Sequence, residues 1–183
     1  MTAERAVILG GLAVGVVLGL AANAFEEGTA RDLIHALSSI GLAVGAAVLA
    51  VRMGMRGAAL AAAGFALFAV SQVAMWTTGG PSQTGSEATF AMAVLFGAPG
   101  LALAATAPEL PNWCRAAGVL SAAAFAVHGL RYLGGAAVSS EDALVGFAYL
   151  LLVVAAAGWI WAVLRPRSLA ARADVRPGAA IGR

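Results

Sequence analysis

Apolar residues in this chain fall into six long blocks: Ala6–Phe25, Leu33–Val51, Gly57–Trp76, Ala88–Ala107, Ala116–Gly135 and Ala143–Leu164. Each is close to the roughly 20 residues that a helix needs to cross about 30 Å of hydrocarbon. None alternates apolar and polar residues with a period of two, as a membrane β-strand would. Backbone groups inside hydrocarbon must be satisfied within their own segment, so the blocks predict helices. Charge or turn formers separate them: Glu26-Glu27-Gly28, Arg52 to Arg56, Gly79-Gly80-Pro81, Pro108 to Pro111, and Ser139 to Asp142. The expected fold is an all-α integral membrane protein, a six-transmembrane-helix bundle over residues 1–164 with a tail over residues 165–183.

Composition strengthens this expectation. Of 183 residues, 61% are hydrophobic and 11% charged, against about 25% charged in a soluble domain. A soluble fold of this size would have too little polar surface to cover itself.

Charge supplies an orientation. Arg5, Arg52, Arg56, Arg115, Arg165, Arg167, Arg172, Arg176 and Arg183 flank one set of block ends, and only Arg31 and Arg131 flank the other. Arginine-rich short loops stay in the cytoplasm, which predicts that both termini are cytoplasmic. Glu26, Glu27, Asp32, Glu87, Glu141 and Asp142 make the opposite face acidic. The tail, with Pro166, Pro177 and Gly178 among its arginines, reads as a disordered cytoplasmic segment that touches anionic lipid. The first block admits a second reading as a cleaved leader. A basic start precedes it, and Ala22-Asn23-Ala24 resembles a small-residue cleavage site.

The residue inventory removes whole classes of chemistry. All eleven basic residues are arginine, so no lysine Schiff base or P-loop can form. Cys114 is the single cysteine, which excludes an intrachain disulfide, a CxxC redox pair and covalent c-type haem. His35 and His128 are the two histidines, too few for a three-histidine zinc site. No mixed aromatic and basic surface pattern points to nucleic acid. Arginine in place of lysine, with abundant alanine, suggests a GC-rich bacterial genome and hence the inner (plasma) membrane.

Small residues mark where membrane helices approach closely. Gly11, Gly15 and Gly19 recur every fourth residue in the first block, with Asn23 continuing the row, and Gly41 and Gly45 do so in the second. These faces would join helices within one chain, between copies in a homo-oligomer, or to a larger membrane complex. Gly97, Pro99 and Gly100 sit in the middle of the fourth block. Proline removes one backbone hydrogen bond and crowds the preceding turn, so a kink is expected there.

Polar side chains inside the blocks collect at the acidic end. His35, Ser38 and Ser39 share a helical face, as do His128, Arg131 and Tyr132, both at i, i+3, i+4 spacing. Ser71 and Gln72 lie near the end of the third block, and Asn23 near the end of the first. Polar groups at such depth face protein or a water-filled cavity rather than lipid. The expectation is an outward-facing polar pocket lined by these residues, with the simple anchoring of helix ends at the interface as its rival.

Three uses suit such a pocket. The leading one is a channel or transporter for a small polar solute or cation, with no metal and no cofactor. A second is a b-type haem with His35 and His128 as axial ligands. A third is a non-catalytic accessory subunit of a larger membrane complex. No catalytic set is apparent: serines lie near both histidines, but no GxSxG turn exists. A divalent metal held by His35, His128 and Glu26, Glu27 or Glu87 would depend on how the loops fold.

Overall fold

The computed structural model describes residues 2–22, 24–26, 28–77, 86–137 and 142–165, except the side chains of 76, 77, 86 and 87. Its described part is all-helical. Six helices follow in order: α1 (Ala3–Ala22), α2 (Thr29–Met55), α3 (Ala59–Thr77), α4 (Ser86–Ala104), α5 (Asn112–Leu133) and α6 (Ala143–Leu164). Four of them, α1, α2, α5 and α6, are long and apolar enough to cross a membrane. The apolar parts of α3 and α4 among the described residues, Ala59–Met75 and Ala88–Ala104, are shorter.

Helix ends depart from the apolar blocks in informative ways. α2 extends beyond its block at both ends, taking in Arg31, Asp32 and Arg52. Charges do not stop a helix; they only mark where its surroundings change. α2 stops instead at Gly57, whose φ of 75° suits a residue without a Cβ. There the amide of Ala58 donates to the carbonyl of Met53, and that of Gly57 to Gly54. The same closure ends α5: Gly135 has φ 80°, Ala136 donates to Arg131, and Gly135 donates to Tyr132. This double hydrogen bond satisfies carbonyls that a helix end otherwise leaves bare. α4 stops at Ala104, short of its block's end, and a turned segment through Pro108 leads into α5.

Each helix packs antiparallel on the next, and α1 meets α6, so the six close into a ring. Its interior is filled by side chains. Phe65 and Phe68 of α3 meet Trp159 of α6 edge-on, with centroids 5.1 and 5.6 Å apart. The outward surface is apolar: Val17, Leu60, Val70, Phe96, Leu120 and Leu150 are all exposed. An apolar exterior of this kind suits lipid as the surrounding solvent.

The glycine faces are contacts within one chain. A Cβ added at Gly11 would lie 2.8 Å from the carbonyl oxygen of Gly41, and one at Gly41 would lie 2.8 Å from that of Gly11. Gly15 and Gly45 receive Leu42 and Leu12 of the opposite helix. In α3 and α4, Gly64 faces the backbone at Ala104, and Gly100 faces the backbone at Phe68. Such closeness lets dispersion and small-residue packing hold helices together where lipid supplies no hydrophobic drive.

Candidate functional site

The antiparallel ring gives the bundle two ends. One carries Arg52, Arg56, Arg115 and Arg165; the other carries His35, His128 and Arg131. We call them the arginine end and the histidine end.

At the arginine end four arginines find partners inside the chain. Buried Arg52 of α2 pairs with Glu4 of α1 at 3.3 Å. Arg56 pairs with Glu109 at 3.7 Å, tying the α2–α3 turn to the α4–α5 segment. Arg115 Nε donates to the carbonyl of Ala105 at 2.9 Å. Arg165 stacks its guanidinium 4.7 Å from the centre of the Trp161 ring.

The histidine end differs. His128 lies in the penultimate turn of α5 and is 0% exposed. Phe90 of α4 meets its ring edge-on, with centroids 5.8 Å apart. Neither imidazole nitrogen has a hydrogen-bond partner among the described residues. The nearest ionisable neighbour is Asp142, whose Oδ2 lies 3.7 Å from Nδ1 of His128. The same oxygen lies 3.7 Å from Nη1 of Arg131 and is itself buried without a hydrogen bond. Asp142 precedes α6, yet its carboxylate does not cap that helix. It turns across to α5, where two cationic or potentially cationic groups compete for one oxygen.

Local sequence explains this placement. His128 and Arg131 are one turn apart on α5, so both can face the same neighbour. α5 and α6 form an antiparallel hairpin, which sets the residue before α6 beside the last turns of α5. Gly129 allows α4 to approach: a Cβ there would lie 2.9 Å from Cβ of Leu95 and 3.1 Å from the carbonyl of Ala91.

The other expected site residues are dispersed. Ser38 is buried and donates its hydroxyl to the carbonyl of Gly15 at 2.6 Å, bridging α2 to α1. Ser39 is buried beside it in sequence, and His35 is half-buried one turn earlier on α2. Ser71 returns its hydroxyl to the carbonyl of Phe68 in its own helix at 2.8 Å. Gln72 is buried and donates through Nε2 to the Met75 sulfur at 3.7 Å. Tyr132 is half-buried near the end of α5. Asn23 lies outside the described residues, as do Glu27, Glu141 and the tail over 166–183; Glu87 is described only in its backbone. Pro99 is exposed on the outer side of α4, which continues as a helix past it to Ala104. Gly97 and Gly100 face α3, against Ser71 and Phe68.

Sequence reasoning missed Asp142 as a partner and counted it only among the outer acids. The signal was present, because an aspartate just before an apolar block is a helix-start residue, and a hairpin brings it to the preceding helix. Two further buried links between α5 and α6 also escaped notice: Ser121 Oγ donates to the carbonyl of Ala148 at 2.8 Å, and Cys114 Sγ to that of Ala155 at 3.3 Å. Among the described residues, no group of three histidine, cysteine or acidic side chains converges as a metal site would require. The chain matches no protein-family model, no curated protein and no solved structure.

Proposed function

We propose that this chain is a six-span protein of a bacterial inner membrane that moves a small polar solute or cation through a polar site at its histidine end. That site centres on His128, Arg131 and Asp142. The observation that carries the reading is His128: fully buried, with neither ring nitrogen hydrogen-bonded among the described residues. An unsatisfied buried polar group costs about 1–3 kcal/mol. A polar group inside a membrane bundle marks a pathway or a binding site more often than a structural contact. The arginine count supports both termini in the cytoplasm, with the histidine end facing outward. The glycine faces of α1 and α2 are spent on each other, which removes the feature that favoured an accessory subunit.

Two measurements test this. In a Cys114→Ser background, a membrane-impermeant thiol reagent added outside should label Ser82→Cys and Ser140→Cys but not Ser168→Cys. Labelling at Ser168 overturns the orientation. Purified protein in liposomes should conduct a cation or pass a small polar solute, and His128→Phe should reduce the rate at least tenfold. No flux above that of empty vesicles overturns the transport reading. A Soret band in the purified protein would replace that reading with a haem between His35 and His128.

A further inference from the structure

The two nitrogens of His128 and the single oxygen of Asp142 suggest what this site binds. We propose that His128 takes up a proton, and that doing so draws Oδ2 of Asp142, which stands equally far from Arg131 and His128, onto the imidazolium. This inference deepens the transport reading above and rests on the same site.

The geometry is that of a contested acceptor. Asp142 Oδ2 stands 3.7 Å from His128 Nδ1 and 3.7 Å from Arg131 Nη1, and it accepts a hydrogen bond from neither. A neutral imidazole has one N–H donor and one acceptor nitrogen. When a proton from the aqueous side adds to the bare nitrogen, both nitrogens become donors and the ring gains a unit of positive charge. The contact between Asp142 and His128 then becomes a charge-assisted hydrogen bond, the stronger kind. Arg131 is about half exposed, so water can solvate its guanidinium once the oxygen turns away. Loss of the proton to water reverses each step.

Among the described residues, the groups facing this exchange are few; the side chains of Glu87 and Glu141 lie outside them. From α5, the groups near His128 are Arg131 and the phenol of Tyr132, which sits one position further along the helix. From α6 and its approach comes Asp142; Tyr149, two turns deeper, is occupied edge-on with Phe125. α4 offers the edge of Phe90 and has no ionisable side chain between Ala88 and Ala104. Asp142 sits where α6 begins, and Arg131 lies in the last turn of α5. A shift of that carboxylate oxygen changes how the α5–α6 hairpin is tied at its connected end, which couples protonation to the two helices beside the site.

The test is nitrogen NMR of the full-length protein in liposomes, with the His128 signals identified by their loss in His128→Gln. Both ring nitrogens should pass from the neutral to the imidazolium pattern between about pH 5 and pH 8. Asp142→Asn should move that midpoint to lower pH by about one unit, and Arg131→Gln should move it to higher pH, because each removes a charge beside the ring. A His128 that keeps one protonation state from about pH 4 to pH 9, or titrates identically in Asp142→Asn, overturns the inference. Flux into pyranine-loaded vesicles after a pH step keeps the two claims apart. Titration that depends on Asp142, without flux of proton, cation or solute, upholds the proton site and overturns transport. Flux with an unresponsive His128 upholds transport and overturns the proton site.

Discussion

The two ends of this bundle each hold a buried cationic or potentially cationic side chain, Arg52 and His128, and surround it differently. At the arginine end, Arg52, Arg56, Arg115 and Arg165 each meet a carboxylate, a carbonyl or an aromatic face. At the histidine end, His128 is fully buried and unsatisfied, and one oxygen of Asp142 serves two claimants at 3.7 Å without bonding either. Arg52 and His128 are both buried, so burial alone does not separate structure from function. Satisfaction does. A group whose partners are all in the chain contributes to stability, whereas an unpaired buried one carries a cost that calls for an explanation, and the transport reading proposed above supplies one.

The most severe way to test the contrast is to add a methyl group at each end. Gly64 lies toward the arginine end, where a Cβ would collide with the backbone at Ala104. Backbone cannot swing aside, so Gly64→Ala should destabilise the protein by about 3 kcal/mol or more. Gly129 lies at the histidine end, and a Cβ there would first meet the Leu95 side chain at 2.9 Å. That atom is Leu95 Cβ, which no rotamer moves, and the carbonyl of Ala91 follows at 3.1 Å; the overlap is smaller than at Gly64, so Gly129→Ala should cost about 1–2 kcal/mol. Unfolding in detergent, followed by helical circular dichroism, reads both. Equal losses would show that the two ends are packed alike.

A subtler pair exchanges stability for activity. Glu4→Gln leaves Arg52, 7% exposed, with no anion beside it. Because Glu4 is itself 40% exposed, the loss should fall below that of a fully buried pair, at about 1–2 kcal/mol, with flux unchanged. His128→Phe keeps a ring of similar size against Phe90 and removes two unsatisfied nitrogens. It should abolish flux while leaving stability equal or raising it by up to about 1 kcal/mol. If His128→Phe destabilises as Glu4→Gln does, the histidine is structural and the ends do not differ in kind.

Much of this architecture was legible because long apolar helices write themselves as apolar runs. The block and the helix share their bounds in α6, Ala143–Leu164. In α2 they differ, because a hydropathy run measures the apolar stretch and not where hydrogen bonding stops; Gly57 ends that helix, several residues past Val51. The pairing of His128 with Arg131 on one face followed from helical spacing. The arrival of Asp142 did not, because it depends on how the α5–α6 hairpin is closed. The glycine rows were legible as contact faces, but whether Gly11 would meet Gly41 or another chain depended on tertiary structure. The partners of the serines were not legible for a related reason. Spacing placed Ser38 and Ser71 at pocket depth, but a hydroxyl can turn to a nearby carbonyl, and no pattern in the sequence reveals which one.

Those two serines supply the smallest and most discriminating test. Ser38 donates across a helix boundary to Gly15 at 2.6 Å, while Ser71 donates within its own helix to Phe68 at 2.8 Å. Interhelical hydrogen bonds in membrane proteins average about 0.6 kcal/mol. Ser38→Ala should therefore lose about 0.5–1 kcal/mol. Ser71→Ala removes a bond to a carbonyl that already lies within helical backbone, and should change stability by less than about 0.5 kcal/mol. Neither should alter flux by as much as twofold, since both hydroxyls already have partners inside the chain. Loss of flux in Ser71→Ala with stability intact would place the working site between α3 and α4, beside Gly97, and move the functional end of the molecule away from the α5–α6 hairpin.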